Sequence, residues 1–478
     1  MTANHSTPRP VIDRSFRSPW TLKDTIIVLL LVALAAFLRS AGLNEPDVII
    51  FDETYYAKDA CLYLGWGQEF CDSPFQAEQS YVHPPVGKWL IAAGEAVFGY
   101  NSLGWRVSAA IFGTAMVPFA YLLAKILFRT RTAAAISGFL VATDFLLIVQ
   151  SRVAMLDIFL AFFVLVGFTF LAMDREGAKE RSSSARLPYP DPLPEREFSW
   201  RLAAGIAFGL ALSTKWSGGL ALAAAGCLVG TLAIELARAE SSRKRFSLNT
   251  AFRREMLSGA FTLVLIPLMI YLASYSIWFA GEFNKKCQAN EPNCNRIAET
   301  AASFIELQES IFNYHWELEA THPYQSKAWT WPLVIRPVAY HYVGPEDAPL
   351  SHHIMAFGNP VVWYAALIAS AWLIIGGRRR WSPHRFVLVG WGSQYLPWLA
   401  VPRALFFFYM TPAVPFMMIG LGGALAAMKR DSKLGNILVW TFLVIGVGVV
   451  GYLFYPILTG GGLPYDLWRS RMWRESWI

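Results

Sequence analysis

The sequence predicts an all-α membrane protein that crosses the bilayer about eleven times, and three observations lead there. Of its 478 residues, 55% are hydrophobic and only 16% charged, whereas a soluble chain carries about a quarter charged residues. Apolar runs close to the length of a bilayer-spanning helix recur along the chain. Nearly all the basic clusters between them fall on alternate connections, as in cytoplasmic loops. The formal net charge of +7 therefore belongs to those loops and not to nucleic-acid binding. The sequence shows no internal repeat, low-complexity tract or appended soluble domain.

Residues 1–24, with Arg9, Arg14, Arg17 and Lys23, read as a cytoplasmic tail. The run at 25–43 lacks a small-residue cleavage site after it and reads as a retained first span. Residues 44–101 form an external segment, in which Val86–Phe98 is apolar but short, as in a helix lying on the membrane. Spans at 103–128, 133–149 and 155–173 follow, the first ending at Arg129-Thr130-Arg131 and the last at a charged loop, 174–200. The fifth span, 202–212, meets an external turn at Ser213-Thr214-Lys215-Trp216, and the sixth ends near 237 before Arg243-Lys244-Arg245. The seventh, 257–279, opens the longest external segment, 280–359. The eighth, 360–375, stops at Arg378-Arg379-Arg380. The ninth is 386–400, the tenth ends at 428 and the eleventh is 437–456. Residues 25–456 thus form one transmembrane domain. The remainder, 457–478, is placed outside, where Arg469, Arg471 and Arg474 depart from the charge rule.

Two cysteine pairs share external segments, Cys61 with Cys71 and Cys287 with Cys294, and fit disulfides in an oxidising compartment. This topology also gathers ionisable residues at the outer membrane boundary: Asp52, Glu53, His83, Lys88, Arg106, Arg152, Asp157, Lys215 and Arg403. Each has a structural reading. Lys88 and Arg106 can snorkel, His83 can be a turn residue, and Asp157 can pair with Arg152. Together they suit transfer of a group from a lipid-linked phosphate. Such a step needs cations on the departing phosphate and a carboxylate to take a proton from the attacking hydroxyl. The segment 299–316 interleaves apolar residues with acids, as in a membrane-surface helix or an acceptor groove.

Several stretches carry a family resemblance. They are Phe51-Asp52-Glu53-Thr54-Tyr55-Tyr56-Ala57-Lys58, His83-Pro84-Pro85-Val86-Gly87-Lys88, Ser151-Arg152-Val153-Ala154-Met155-Leu156-Asp157 and Thr214-Lys215-Trp216-Ser217-Gly218. Further on come His322-Pro323-Tyr324-Gln325-Ser326-Lys327-Ala328-Trp329-Thr330-Trp331-Pro332, Arg336-Pro337-Val338 and Pro402-Arg403-Ala404-Leu405-Phe406-Phe407-Phe408-Tyr409. Their order along almost the whole chain resembles the protein O-mannosyltransferases. The resemblance implies a glycosyltransferase of the C type in a bacterial plasma membrane, with its site on the external face. Its donor would be polyprenyl-phosphate-mannose and its acceptors Ser or Thr hydroxyls of exported proteins, with inversion at the anomeric carbon. Residues 280–359 are too few for the β-trefoil insert of eukaryotic members, which points to the compact bacterial branch.

On this basis Asp52 is assigned as general base and Glu53 as the residue that orients acceptor or sugar. Arg403, Lys215 and Arg106 are assigned to the donor phosphate, and His83, Arg152, Asp157 and Tyr55 to the sugar and acceptor pocket. No cofactor is expected, although a carboxylate pair could hold a divalent cation. Membrane lipids are implied partners. An unfolded acceptor also suggests the protein export machinery, for which no motif speaks. The alternatives are a transferase acting on a lipid or cell-wall glycan, and a lipid-sugar flippase. The absence of matching half-repeats weighs against the flippase.

Overall fold

The computed structural model describes residues 19–71, 82–184, 198–241, 248–285, 295–317, 321–346, 349–376 and 383–478. Helix α1 (Leu22–Ser40) begins where the Asp24 carboxylate accepts the Thr21 backbone N–H at 2.9 Å. The same carboxylate takes Lys125 at 2.6 Å and Arg131 at 3.3 Å, which ties the start of α1 to the two helices that follow residues 44–101. Within that segment lie α2 (Glu53–Tyr63) and α3 (Val86–Phe98), the latter with the bounds the sequence predicts. Cys61 and Cys71 form a disulfide that closes the chain after α2. Cys287 and Cys294 lie outside the described residues.

Helix α4 (Ser102–Phe128) starts at Asn101, whose side chain accepts the Gly104 N–H. It packs against α3 through glycines. A Cβ on Gly94 would strike the Gly104 carbonyl, and one on Gly104 would strike the Gly99 carbonyl. Such glycine contacts let helix backbones approach closely.

The third predicted span is not continuous. It divides into α5 (Arg131–Thr143) and α6 (Phe145–Gln150) at Asp144, whose carboxylate caps the Leu147 N–H and accepts the Trp363 indole N–H at 2.8 Å. Next come α7 (Leu156–Ser184), α8 (Phe198–Leu212) and α9 (Gly218–Ser241). The seventh span is built from α10 (Leu248–Ala260), a π-helical turn at Phe261–Leu265 and α11 (Ile266–Ser274). Pro267 has no N–H for the carbonyl four residues back, and the wider turn lies directly ahead of it.

Next come α12 (Ser276–Lys285) and α13 (Arg296–Glu317), the latter covering the segment 299–316. A two-stranded antiparallel hairpin, β1 (Val338–Val343) and β2 (His352–Ala356), corrects the all-α expectation. Its β-branched and aromatic residues, VAYHYV against HHIMA, suit a pleated surface. Then come α14 (Pro360–Gly376), α15 (Pro383–Tyr395) and α16 (Val414–Asp431), the last buried along most of its length. A Cβ on Gly422 would meet the Ser137 side chain of α5, so α16 can lie flush against it. Helices α17 (Lys433–Thr441) and α18 (Val450–Thr459) flank a π-helical stretch, Phe442–Val449.

Among the described residues, five helices are long and apolar enough to cross a membrane: Ser102–Phe128, Leu156–Ala178, Gly218–Glu235, Glu255–Ser274 and Lys433–Thr459. The tail after α18 includes α19 (Tyr465–Ser470) and folds back on the segment before β1. There the Trp477 indole donates to the Val334 carbonyl at 2.8 Å, and Arg336 donates to the carbonyls of Ser476 and Ile478.

Candidate active site

The site forms where α2, the start of α7, the turn before α9 and the loop before α16 converge. Phe51 has φ of +49°, a left-handed backbone that costs a bulky residue about 1–3 kcal/mol. Its ring repays part of that cost by stacking on Tyr340 at 4.3 Å and meeting Phe408 edge-on at 5.7 Å. Tyr340 itself occupies an irregularity in the hairpin, between Ala339 paired with Met355 and His341 paired with Ile354. An extra residue of this kind re-aims a side chain out of the ladder. Here it turns Tyr340 towards Phe51 and Gln150, whose amide donates to the Tyr340 hydroxyl at 3.0 Å.

The consequence falls on the next residue, Asp52. It is half-buried at the N-cap of α2, and among the described residues its carboxylate has no hydrogen-bond or ion-pair partner. Burial pushes this carboxyl up to about 7; nearby Lys215 opposes the rise and Asp157 adds to it. A carboxylate of that basicity can take a proton near neutral pH.

Glu53 is in a different position. It is fully buried, and its two oxygens accept Arg106 at 2.8 and 2.9 Å, the Ile50 N–H at 3.0 Å and the Ala154 N–H at 3.0 Å. Arg106 is equally buried and also holds the carbonyls of Leu43, Pro46 and Val48. Glu53 and Arg106 thus form a saturated bidentate pair that shapes the loop between α1 and α2. Arg106 has no N–H left for a phosphate, and it does not snorkel. Lys88 does not snorkel either: it lies buried against Asp59 at 2.7 Å.

Arg152 and Asp157 do not pair with each other. Arg152 donates to the carbonyls of Arg39, Ala41 and Gly42, which close the C-terminal end of α1. Asp157, in the first turn of α7, instead takes the Lys215 ammonium at 3.0 and 3.1 Å. Lys215 lies 5.2 Å from the ring centre of Tyr409, and the Arg403 guanidinium 5.7 Å from the same ring. Arg403 is half-buried and has no ion-pair partner among the described residues. Two cations on one aromatic ring, with Asp157 paired to Lys215, make a site for a further anion.

His83 sits at the edge of this group, its ring 6.1 Å from Tyr56 and 5.0 Å from His315 of α13. Burial first, and then the neighbouring Lys215, His315, Lys88 and Arg403, hold its imidazole well below the usual range. Tyr55 is exposed at the mouth, its phenol raised by burial and then by Asp52 and Tyr314. The structure therefore gathers Asp52, His83, Asp157, Lys215, Arg403 and Tyr55, and sets Glu53, Arg106 and Arg152 behind them. It adds Tyr56, Tyr340, Tyr409 and His315. Tyr56 and Tyr409 stand inside motifs visible in the sequence, whereas Tyr340 and His315 carry no such signal. Among the described residues no three His, Cys, Asp or Glu side chains converge as a metal site would require.

Residues 29–281 match the family model described as dolichyl-phosphate-mannose-protein mannosyltransferase, and residues 300–477 match the C-terminal four-transmembrane region of protein-O-mannosyltransferase. A polyprenol-phosphate-mannose–protein mannosyltransferase of Mycobacterium tuberculosis is 34% identical across 95% of this chain and 91% of its own length. This chain belongs to the protein O-mannosyltransferase family. The Corynebacterium glutamicum member of the same name is 30% identical across 96% of the chain and 94% of its own length. The Saccharomyces cerevisiae protein O-mannosyltransferase Pmt1-Pmt2 complex, bound to its sugar donor, shares the fold with a TM-score of 0.76 at 16% identity, covering 96% of this chain and 93% of that one. ArnT of Cupriavidus metallidurans, bound to undecaprenyl phosphate, is a more distant fold relative, with a TM-score of 0.57 at 18% identity over 88% of this chain and 63% of its own. In this mannosyltransferase the motif residues thus divide into a group that lines the site and a group that braces it.

Proposed function

We infer that this protein O-mannosyltransferase moves mannose from polyprenyl-phosphate-mannose to Ser or Thr hydroxyls of proteins. The observation that carries the chemistry is the unpartnered Asp52 carboxylate near Lys215, with Lys215 and Arg403 sharing the Tyr409 ring. The acceptor oxygen attacks the anomeric carbon while Asp52 takes its proton. The bond from that carbon to the phosphate oxygen breaks, and the anion leaves on the lipid, held by Lys215 and Arg403. A single displacement of this kind inverts the anomeric carbon. Asp157 keeps Lys215 in place, and Tyr55 and His83 border the acceptor and sugar. Glu53, Arg106 and Arg152 act by position: they fix the loop that presents Asp52. No step routes through a metal.

The membrane reading follows the charge pattern. The chain makes about eleven crossings, with residues 44–101, 280–359 and the 457–478 tail outside. The site thus opens on the external face of a bacterial plasma membrane, where exported chains emerge still unfolded. The test is transfer by the purified protein from polyprenyl-phosphate-mannose to a Ser/Thr-rich peptide. Mannose on the peptide hydroxyls is the expected product. Mannose found solely on a lipid or glycan acceptor, or lipid movement without transfer, contradicts the reading.

Arg403 offers a second check. A charge-assisted hydrogen bond is worth about 1.5–3 kcal/mol, so Arg403→Gln is expected to raise the donor KM by about ten- to a hundredfold. The peptide KM should stay unchanged. Initial rates measured against donor concentration decide this.

A further inference from the structure

Helix α13 meets the His83-Pro84-Pro85 turn through His315, a residue no motif singles out. Its Nε2 lies 3.0 Å from the Val82 carbonyl. A carbonyl only accepts, so Nε2 carries the proton and Nδ1 the lone pair. The ring stacks on His83 with centres 5.0 Å apart and planes 24° apart, and Trp216 lies 6.3 Å away. His315 thus holds the backbone just before His83 as well as its ring. Pro84 restricts the His83 backbone from the other side. Two turns earlier in α13, the Gln308 side chain accepts the Tyr271 hydroxyl, which itself receives the Trp216 indole N–H at 2.8 Å. Helix α13 is therefore held to Val82 through His315 and, through Gln308 and Tyr271, to Trp216 next to Lys215.

We propose that His315 is a positioning residue, which fixes the His83 imidazole towards the acceptor hydroxyl and sugar. The inference rests on the mannosyl-transfer reading. His83 has no hydrogen-bond partner among the described residues, so its ring nitrogens are open to hydroxyl groups. Burial lowers the His315 imidazole to about 4, with the Val82 bond opposing and Arg403 and Lys215 adding to the shift. At neutral pH both rings are uncharged, and they can stack without repulsion.

The test compares His315→Ala with His315→Gln in the full-length protein. Gln keeps an amide N–H near the Nε2 position. His315→Ala is expected to lower kcat/KM for peptide by about tenfold or more, with donor KM and Tm unchanged, and His315→Gln to recover part of that loss. Carbethoxylation of His83, read by mass spectrometry at pH 7, should rise in His315→Ala and rise less in His315→Gln. Full peptide activity in His315→Ala overturns the proposal, as does an equal loss in donor KM or a fallen Tm, either of which marks a general structural role. If the wild type transfers no mannose to peptide, the transfer reading fails. The labelling arm then still decides whether His315 holds His83, since unchanged labelling overturns it.

Discussion

Asp52→Asn is expected to lower kcat for mannosyl transfer by about a hundred- to ten-thousandfold, the usual contribution of a positioned proton acceptor. The amide has nearly the same shape and volume, and the side chain it replaces has no partner among the described residues. Removal of a carboxyl held up at about 7 by burial also relieves the cost of charging it. The variant should therefore fold and insert like the wild type, and its donor KM should stay close to normal because Lys215 and Arg403 are untouched. Kinetics with purified protein, alongside thermal unfolding in the same detergent, checks both halves. Full activity in Asp52→Asn sinks the assignment of the base.

The adjacent carboxylate should behave in the opposite way. Glu53→Ala is expected to destabilise the fold by about 3–5 kcal/mol, the usual cost of stranding one member of a buried ion pair. Arg106 would be left without its counter-charge at 0% exposure, and the Ile50 and Ala154 N–H groups would lose their acceptor. Arg106→Ala should be as damaging, because it also releases the carbonyls of Leu43, Pro46 and Val48. Both variants should lower Tm and yield, with any activity loss following the loss of folded protein. A well-folded, fully stable Glu53→Ala that lacks activity would instead give Glu53 a direct role. Two neighbouring acids thus separate cleanly, one by chemistry and one by stability.

Most of the fold was legible because a bilayer imposes it. A run of apolar residues of the right length bounded by Arg and Lys has few other destinations. The short helix Val86–Phe98 emerged with its bounds intact, since Pro84-Pro85 before it and Gly99 after it are plain boundary signals. The break at Asp144 was hidden because its indole partner, Trp363, lies far along the sequence. The hairpin was hidden among polar loop residues, and with it Tyr340, which reaches the site only through a strand irregularity.

The site was half legible for a related reason. Sequence singled out charges that the fold brings close together, such as Asp157 and Lys215, but could not say which acid met which base. Asp157 chose Lys215 over Arg152, and Arg152 turned to the end of α1. Adjacent residues on a helix start point apart, so Asp52 and Glu53 parted by geometry that no composition reveals. Tyr409, quoted within its motif yet given no role, proved to be the surface on which both cations rest.

The most direct measurement of the central claim is the pH dependence of kcat/KM for the donor, which reports the ionisation of the free enzyme. A base must be deprotonated to work. With Asp52 at about 7, the rate should rise about tenfold per pH unit from acid pH and level off just above neutrality. The residual activity of Asp52→Asn should lack that bend. A profile flat from pH 5 to 8, or a bend that survives in Asp52→Asn, would contradict the assignment of Asp52 as the base.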